Sequence, residues 1–386
     1  MLWGMTEHHT LLPATAPFDF SCSLRALASF SPCSGDQRIA EGRVRKALPH
    51  PVDPRQAVVV EVGPPPDGYT GVALAVFAET ELSAAEAAQV ELAVDRWLGL
   101  SEDRTGFLAT AEADPAMRRV LAIGRGLHQV RFSSLAEGTV YFTLTQRSTQ
   151  WFAAARKRRL AEDQGPRLTV DGVDYVAFPA MPTVLGLDLA DLTRYAGSRS
   201  RAERLREVLE GVAALDEQWL RTADYESVRS ALLAIKGVGM FTAHAILLRV
   251  LGRPDDTPLE MAQFTRVATM LYGEPTPQPA EIRERYGPWV GWWAYLSRTA
   301  MSWTEDDPPP GERRKRPGRQ RAKSAGGEPN PEGAQAATDS SQRSSVRTPH
   351  PVAPLTVSPS LVSDQAGDDM SMCAQLSRME PVNSRR

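Results

Sequence analysis

The chain has 386 residues, 42% of them hydrophobic, and a formal net charge of −3. That length allows two or three domains with a sizeable core, and the near-neutral charge excludes a polycation, so any nucleic-acid surface must be local. Three cysteines far apart in the sequence, Cys22, Cys33 and Cys373, exclude a disulfide framework or a zinc spacing and fit a reducing cytoplasm; no apolar run reaches membrane-spanning length.

In chain order, residues 1–11 read as a flexible leader, with His8 and His9 inside it. Residues 12–110 read as a small α/β domain. Pro17-Phe18-Asp19-Phe20 precedes a short helix around residues 23–27, and three β-like runs follow at 43–48, 57–62 and 72–77. The last two are rich in Val and Ala and bounded by Pro and Gly, which predicts a small antiparallel sheet. Ser83 and Glu86 have capping-box spacing for a helix running to Trp97.

Residues 111–304 read as helix after helix. Asp114-Pro115 opens one, and residues 137–160 are predicted as another single helix that ends in the basic run Arg156-Lys157-Arg158-Arg159. That run suits either a solvated helix end or phosphate contact. Phe178-Pro179 and Met181-Pro182 mark a loop, and another helix starts near Ser200. After Trp303 the composition shifts to Pro, Ser, Gly and Gln, with a basic cluster from Arg313 to Lys323. Residues 305–386 are therefore predicted as a disordered tail.

The most informative stretch is LLAIKGVGMFTAHAILL, residues 232–248. Two glycines one residue apart cannot continue a helix cheaply, so Lys236-Gly237-Val238-Gly239 predicts a tight turn between two helices. Backbone N–H groups at the start of the second helix lie where the dipole is positive, and such a site suits a phosphate. On these residues alone, a packing hairpin in an all-α domain remains the alternative.

The segments beyond the turn bear on that choice. Arg253-Pro254-Asp255-Asp256-Thr257-Pro258-Leu259-Glu260, then Gln263-Phe264-Thr265-Arg266, then Tyr286-Gly287-Pro288-Trp289 follow in order. Together with the hairpin they resemble the helix-hairpin-helix DNA glycosylases, bacterial 3-methyladenine DNA glycosylase II above all, over residues 12–303. The resemblance implies an α+β fold: a small antiparallel-sheet α/β domain followed by an all-α helix-hairpin-helix glycosylase-like domain. It also implies removal of alkylated purines from double-stranded DNA by base flipping. The partner would be duplex DNA containing damaged bases, met by a monomer at the nucleoid.

By the same resemblance, Lys236, Gly237, Val238, Gly239 and Thr242 would hold the DNA backbone, and Gln146 with Arg147 would stand where the family has Gln and an apolar wedge. Phe241 and Trp289 would line the base pocket. Glu260 would be the catalytic carboxylate, standing where the family has Asp, with Asp255 and Asp256 as spare candidates. No cofactor is required, although the backbone carbonyls of Leu233, Ile235 and Val238 would hold a monovalent cation, sodium or potassium. Glycosylases that also cut the strand carry a Lys where this chain has Phe241, so the expected enzyme is monofunctional. The missing Asp and Arg147 at the wedge position leave a second expectation open: a DNA-binding protein of the same fold with impaired catalysis. A third is a helical scaffold that never meets nucleic acid.

Overall fold

The computed structural model describes residues 6–303; the tail expected at 305–386, with its basic cluster, lies outside the described residues. A five-stranded antiparallel sheet is built from β1 (Thr6–Pro13), β2 (Gln37–Ala40), β3 (Arg43–Pro49), β4 (Ala57–Gly63) and β5 (Gly71–Ala78), in the order β1-β5-β4-β3-β2. Helix α1 (Phe20–Ser29) joins β1 to β2, and α2 (Ala84–Leu98) follows β5. The capping box at Ser83 and Glu86 is made in full, and Gly99 closes α2 in the left-handed conformation. Residues 6–11, expected in a flexible leader, are part of edge strand β1. Only Leu12 of β1 is buried, so the strand is held by its register with β5 and carries no apolar alternation to betray it.

The helical body comprises α3 (Thr105–Ala113), α4 (Arg118–Gly124), α5 (Leu135–Leu144), α6 (Gln150–Gln164), α7 (Met181–Leu185), α8 (Leu189–Ala196) and α9 (Arg199–Ala213). It continues with α10 (Glu217–Thr222), α11 (Tyr225–Ala234), α12 (Met240–Ile246), α13 (Ala262–Tyr272), α14 (Pro279–Tyr286) and α15 (Val290–Ser302). A π-helical turn, Leu247–Leu251, extends α12. These helices divide between two hydrophobic cores. One joins the inner face of the sheet and α1–α4 to α13–α15; the other is built by α5–α12. The chain leaves the first core after Val130 and returns to it at Leu259, so the two cores meet along a seam that the chain crosses twice.

The structure corrects two sequence expectations here. First, the predicted helix over 137–160 is two helices. The chain breaks at residues 145–149, where Arg147 takes a left-handed φ of 52° and the Thr149 hydroxyl caps α6 by accepting from Phe152 N at 3.2 Å. Second, the helical region contains a β-hairpin, β6 (Arg167–Val170) and β7 (Val173–Val176), turned by Asp171 and Gly172 with φ of 51° and 71°. Both turn residues are left-handed, as a two-residue hairpin of right-handed twist requires. The hairpin packs Leu168, Val170 and Tyr175 against Ala57, Val59, Ala75 and Phe77 of the five-stranded sheet. Alternate residues of β4 thus face two cores, Val58, Val60 and Val62 on one side and Val59 on the other. That is why β4 reads as an unbroken apolar run.

Within the basic run at the end of the predicted helix, Lys157 is neither solvated nor free to contact phosphate. Lys157 is 1% exposed and donates to Glu137 Oε1 at 2.7 Å and to Asp36. Lys46 of β3 adds a second ammonium 3.9 Å from Glu137. Cys33, Asp36 and Glu137 lie close enough together to ligate a metal, but the Lys157 ammonium already supplies the cation there.

Candidate nucleic-acid interface and base pocket

The hairpin joins α11 to α12 through Ile235 to Gly239. Val238 N donates to Ile235 O at 3.0 Å, and Val238 is buried as the anchor of the turn. Gly237 has φ +91°, and a Cβ there would sit 3.0 Å from Arg204 Cγ and Val208 Cγ2, so the position needs glycine on both counts. Gly239 is the cap of α12; a Cβ there would meet nothing within 4 Å, and the residue is exposed. The turn therefore presents open backbone at a helix start, the geometry a phosphate needs.

Gln146 Nε2 donates to Gly237 O at 2.9 Å and to Thr242 Oγ1 at 3.1 Å. This side chain braces the hairpin from behind and ties the 145–149 segment to it. Thr242, expected to touch DNA, is 2% exposed, so its hydroxyl serves this brace and does not face a ligand. Lys236 is exposed and its ammonium lies 2.5 Å from Glu207. Arg147 is exposed beside Gln146. Ile235 O already accepts from Val238 N, while no hydrogen bond among the described residues reaches Leu233 O or Val238 O.

A cavity of about 360 Å³ opens at the seam between the two cores. Its walls come from α1, α5, α12, α13 and α15, and its lining includes Phe30, Tyr141, Phe142, Phe241, Phe264 and Tyr295. The size and apolar lining suit one small planar ligand. Thr145 and Gln150 line it on either side of the hairpin brace, so cavity and hairpin share one wall. Phe241 sits edge-on to Phe142, ring centroids 6.2 Å apart. Trp289, expected in the pocket, is absent from the lining. It lies half-buried in the 3-10 turn at 287–289, against the outside of the first core and over Gly106, where a Cβ would come within 2.9 Å of its ring.

Two cavity residues carry chemistry that the sequence reading missed. Arg249 lies over Phe30 at 4.5 Å and Tyr295 at 5.1 Å and donates to Val130 O at 3.1 Å; burial pushes its pKa down. His244 also lines the cavity. Its pKa is lowered by burial, which outweighs the nearby Asp256, and Tyr225 Oη lies 3.3 Å from its Nδ1. The available signal was a polar residue inside the apolar run of α12, three positions beyond Phe241.

The carboxylates stand at the lip. Pro258 and Met261 line the cavity, but Glu260 between them is exposed and makes a bidentate pair with Arg283 at 2.6 and 3.2 Å. Those hydrogen bonds hold its pKa below the usual carboxylate range. Asp256 shares the same guanidinium at 3.0 Å, and Asp255 pairs with Arg253 at 3.5 Å. Arg283 also donates to Thr257 O at 2.9 Å, so one arginine fixes the whole 256–260 loop. Among the described residues lining the cavity there is no Asp, Glu or Lys.

Comparison with known proteins identifies this architecture as the helix-hairpin-helix DNA glycosylase fold. Among solved structures, a 3-methyladenine DNA-glycosylase from Archaeoglobus fulgidus superposes with a TM-score of 0.61 at 19% identity, covering 76% of this chain and 97% of that one. An 8-oxoguanine glycosylase/lyase from Clostridium acetobutylicum superposes with a TM-score of 0.55 at 18% identity, covering 77% and 98%. Among curated proteins, the chain is 25% identical over 209 residues to a DNA-3-methyladenine glycosylase of Bacillus subtilis strain 168, covering 53% of this chain and 68% of the relative. It is 26% identical over 300 residues to a probable bifunctional transcriptional activator/DNA repair enzyme AlkA of Mycobacterium tuberculosis, covering 76% of this chain and 58% of that protein. No family model matches.

Proposed function

We propose that the chain is a monofunctional DNA N-glycosylase that removes alkylated purines of the 3-methyladenine type in base-excision repair. The observation that carries this reading is the aromatic cavity sharing a wall with the glycine hairpin. A backbone phosphate held at Gly237 to Gly239 brings the neighbouring nucleotide to the cavity mouth, and the flipped base enters between rings. Phe30 and Tyr295 are taken up by Arg249, so the base lies on the Phe241 and Phe142 side. An alkylated purine that is cationic gains there by cation–π attraction and stays off the guanidinium.

Bond breaking builds positive charge on the sugar as water adds to its anomeric carbon and the base departs. Glu260 is the carboxylate assigned to stabilise that charge. It is ionised, and to act it must open its bidentate pair with Arg283 and rotate toward the cavity mouth. A purine that is already cationic asks less of the carboxylate than a neutral one. With Phe241 in place of a lysine and no lysine in the lining, the cavity offers no amine for a Schiff base. The carbonyls of Leu233, Ile235 and Val238 would hold a sodium or potassium ion, which would add positive charge to the phosphate grip. The partner is duplex DNA with damaged bases, met by a monomer in the cytoplasm at the nucleoid. No described helix is long and apolar enough to cross a membrane.

The lack of a carboxylate in the cavity lining favours a second reading, a lesion-binding protein with impaired catalysis. Release of free 3-methyladenine from methylated duplex DNA, with the strand left uncut, supports the first. Salt-dependent binding of the same DNA without release supports the second.

A further inference from the structure

The first turns of α6 and α9 meet at a second, open concavity, lined by Ser148, Thr149, Phe152, Arg156, Ser198 and Arg201 among others. Both guanidiniums lie over the Phe152 ring, Arg156 at 4.4 Å and Arg201 at 5.1 Å from its centroid. Each is positioned by backbone oxygens: Arg156 donates to Arg194 O at 3.0 Å and Tyr195 O at 3.2 Å, and Arg201 to Arg147 O at 2.9 Å. Among the described residues neither has a carboxylate within ion-pair distance, unlike the nearby Arg158 and Arg194. Gly197 makes room for this arrangement, since a Cβ there would lie 2.8 Å from Arg156 Cζ. Two 15-residue helices begin at the concavity, capped by Thr149 and Ser198, and their dipoles add to the positive potential.

The site adjoins the DNA-facing elements. Gln146 bonds to the hairpin, Gln150 lines the base cavity, and Arg147 O is the acceptor for Arg201. Trp151, at the same helix start, is 79% exposed, a large apolar surface left in water. We propose that this concavity binds a second backbone phosphate of duplex DNA, with Trp151 stacking on an adjoining base. The proposal rests on the DNA-binding reading above and extends its footprint to a strand contact away from the hairpin.

A salt titration of duplex binding by the full chain tests it, because a neutralised phosphate contributes about −0.9 to the slope of log K against log salt whereas stacking contributes nothing. For R156A/R201A we expect the slope to become shallower by about one and affinity to fall about tenfold, with R156K/R201K keeping the slope. For W151A we expect affinity to fall about 5- to 100-fold at unchanged slope, restored by W151F. An unchanged slope in R156A/R201A overturns the phosphate site, and unchanged affinity in W151A overturns the stacking contact. Thermal stabilisation by inorganic phosphate that R156A/R201A abolishes while the DNA slope stays put assigns the concavity to a free phosphate ion and overturns the DNA contact. Failure of the wild-type chain to bind duplex at all overturns the DNA-binding reading beneath it.

Discussion

Lys157→Met tests the account of the buried charge cluster. Methionine keeps the volume and removes the ammonium, leaving Glu137 and Asp36, 1% and 12% exposed, with the Lys46 ammonium 3.9 Å from Glu137 and the Arg158 guanidinium 3.9 Å from Asp36 as compensation. Breaking a buried pair by removing one partner costs about 3–5 kcal/mol, a large share of the roughly 5–15 kcal/mol that holds a domain together. At about 2–4 °C per kcal/mol for a chain of this size, the melting temperature should fall by about 6–20 °C at pH 7. The assay is thermal unfolding followed by near-ultraviolet circular dichroism.

The effect of pH has a definite sign. Burial alone would raise the Glu137 pKa, but Lys157 and then Lys46 outweigh it and hold the carboxyl below its ordinary value of 4.5. The wild-type cluster therefore adds stability above the unfolded carboxylate pKa and loses it as pH falls through the folded one. In the variant, protonation of the orphaned Glu137 relieves its buried charge. The gap in melting temperature should thus be widest near neutrality and shrink on approach to pH 4.5. Replacing Glu137 by Leu as well should recover part of the loss. A gap under about 1 kcal/mol at pH 7, or one that does not change with pH, would refute the reasoning.

Gln146→Ala removes two hydrogen bonds to the hairpin, worth about 1–3 kcal/mol together. It should weaken duplex binding severalfold, read by fluorescence anisotropy, while leaving the aromatic cavity intact. Gly237→Ala should be worse, since it adds strain at φ +91° and crowds Val208; loss of stability and of duplex binding should appear together in melting and anisotropy. Glu260→Gln should slow base release by about 100-fold at saturating enzyme with little change in affinity. Because Arg283 holds the Glu260 pKa below 4.5, wild-type release should keep its Glu260-dependent activity down to that pH and lose it only below.

Local chemistry made much of this fold legible. The capping box at Ser83, the apolar runs of β3 to β5 and the glycine turn at 237–239 each carry their own signal, and each forms where the sequence points. What the sequence hid depends on long-range contact. Edge strand β1 exists because β5 offers it a ladder, and Lys157 is buried because Glu137 and Asp36 come to it from other elements. The Asp171-Gly172 hairpin was readable, from a two-residue turn flanked by alternating apolar residues, but it was masked by the helices around it. In the site, Phe241 lines the aromatic cavity. Trp289 does not; in the 3-10 turn at residues 287–289 it packs half-buried against the first core. The ion pair of Glu260 could not be foreseen, since Arg283 is 23 residues away in sequence.

The claim that a flipped base is cleaved while seated against Phe241 is tested most directly by single-turnover excision from a duplex with one 3-methyladenine. Wild type is compared with Phe241→Ala, and affinity for undamaged duplex is measured in parallel. The account predicts release by the wild type, a drop of at least about tenfold in the variant from lost stacking, and unchanged binding of intact DNA. Equal rates for the two proteins, or tight binding by the wild type with no base released, would contradict it.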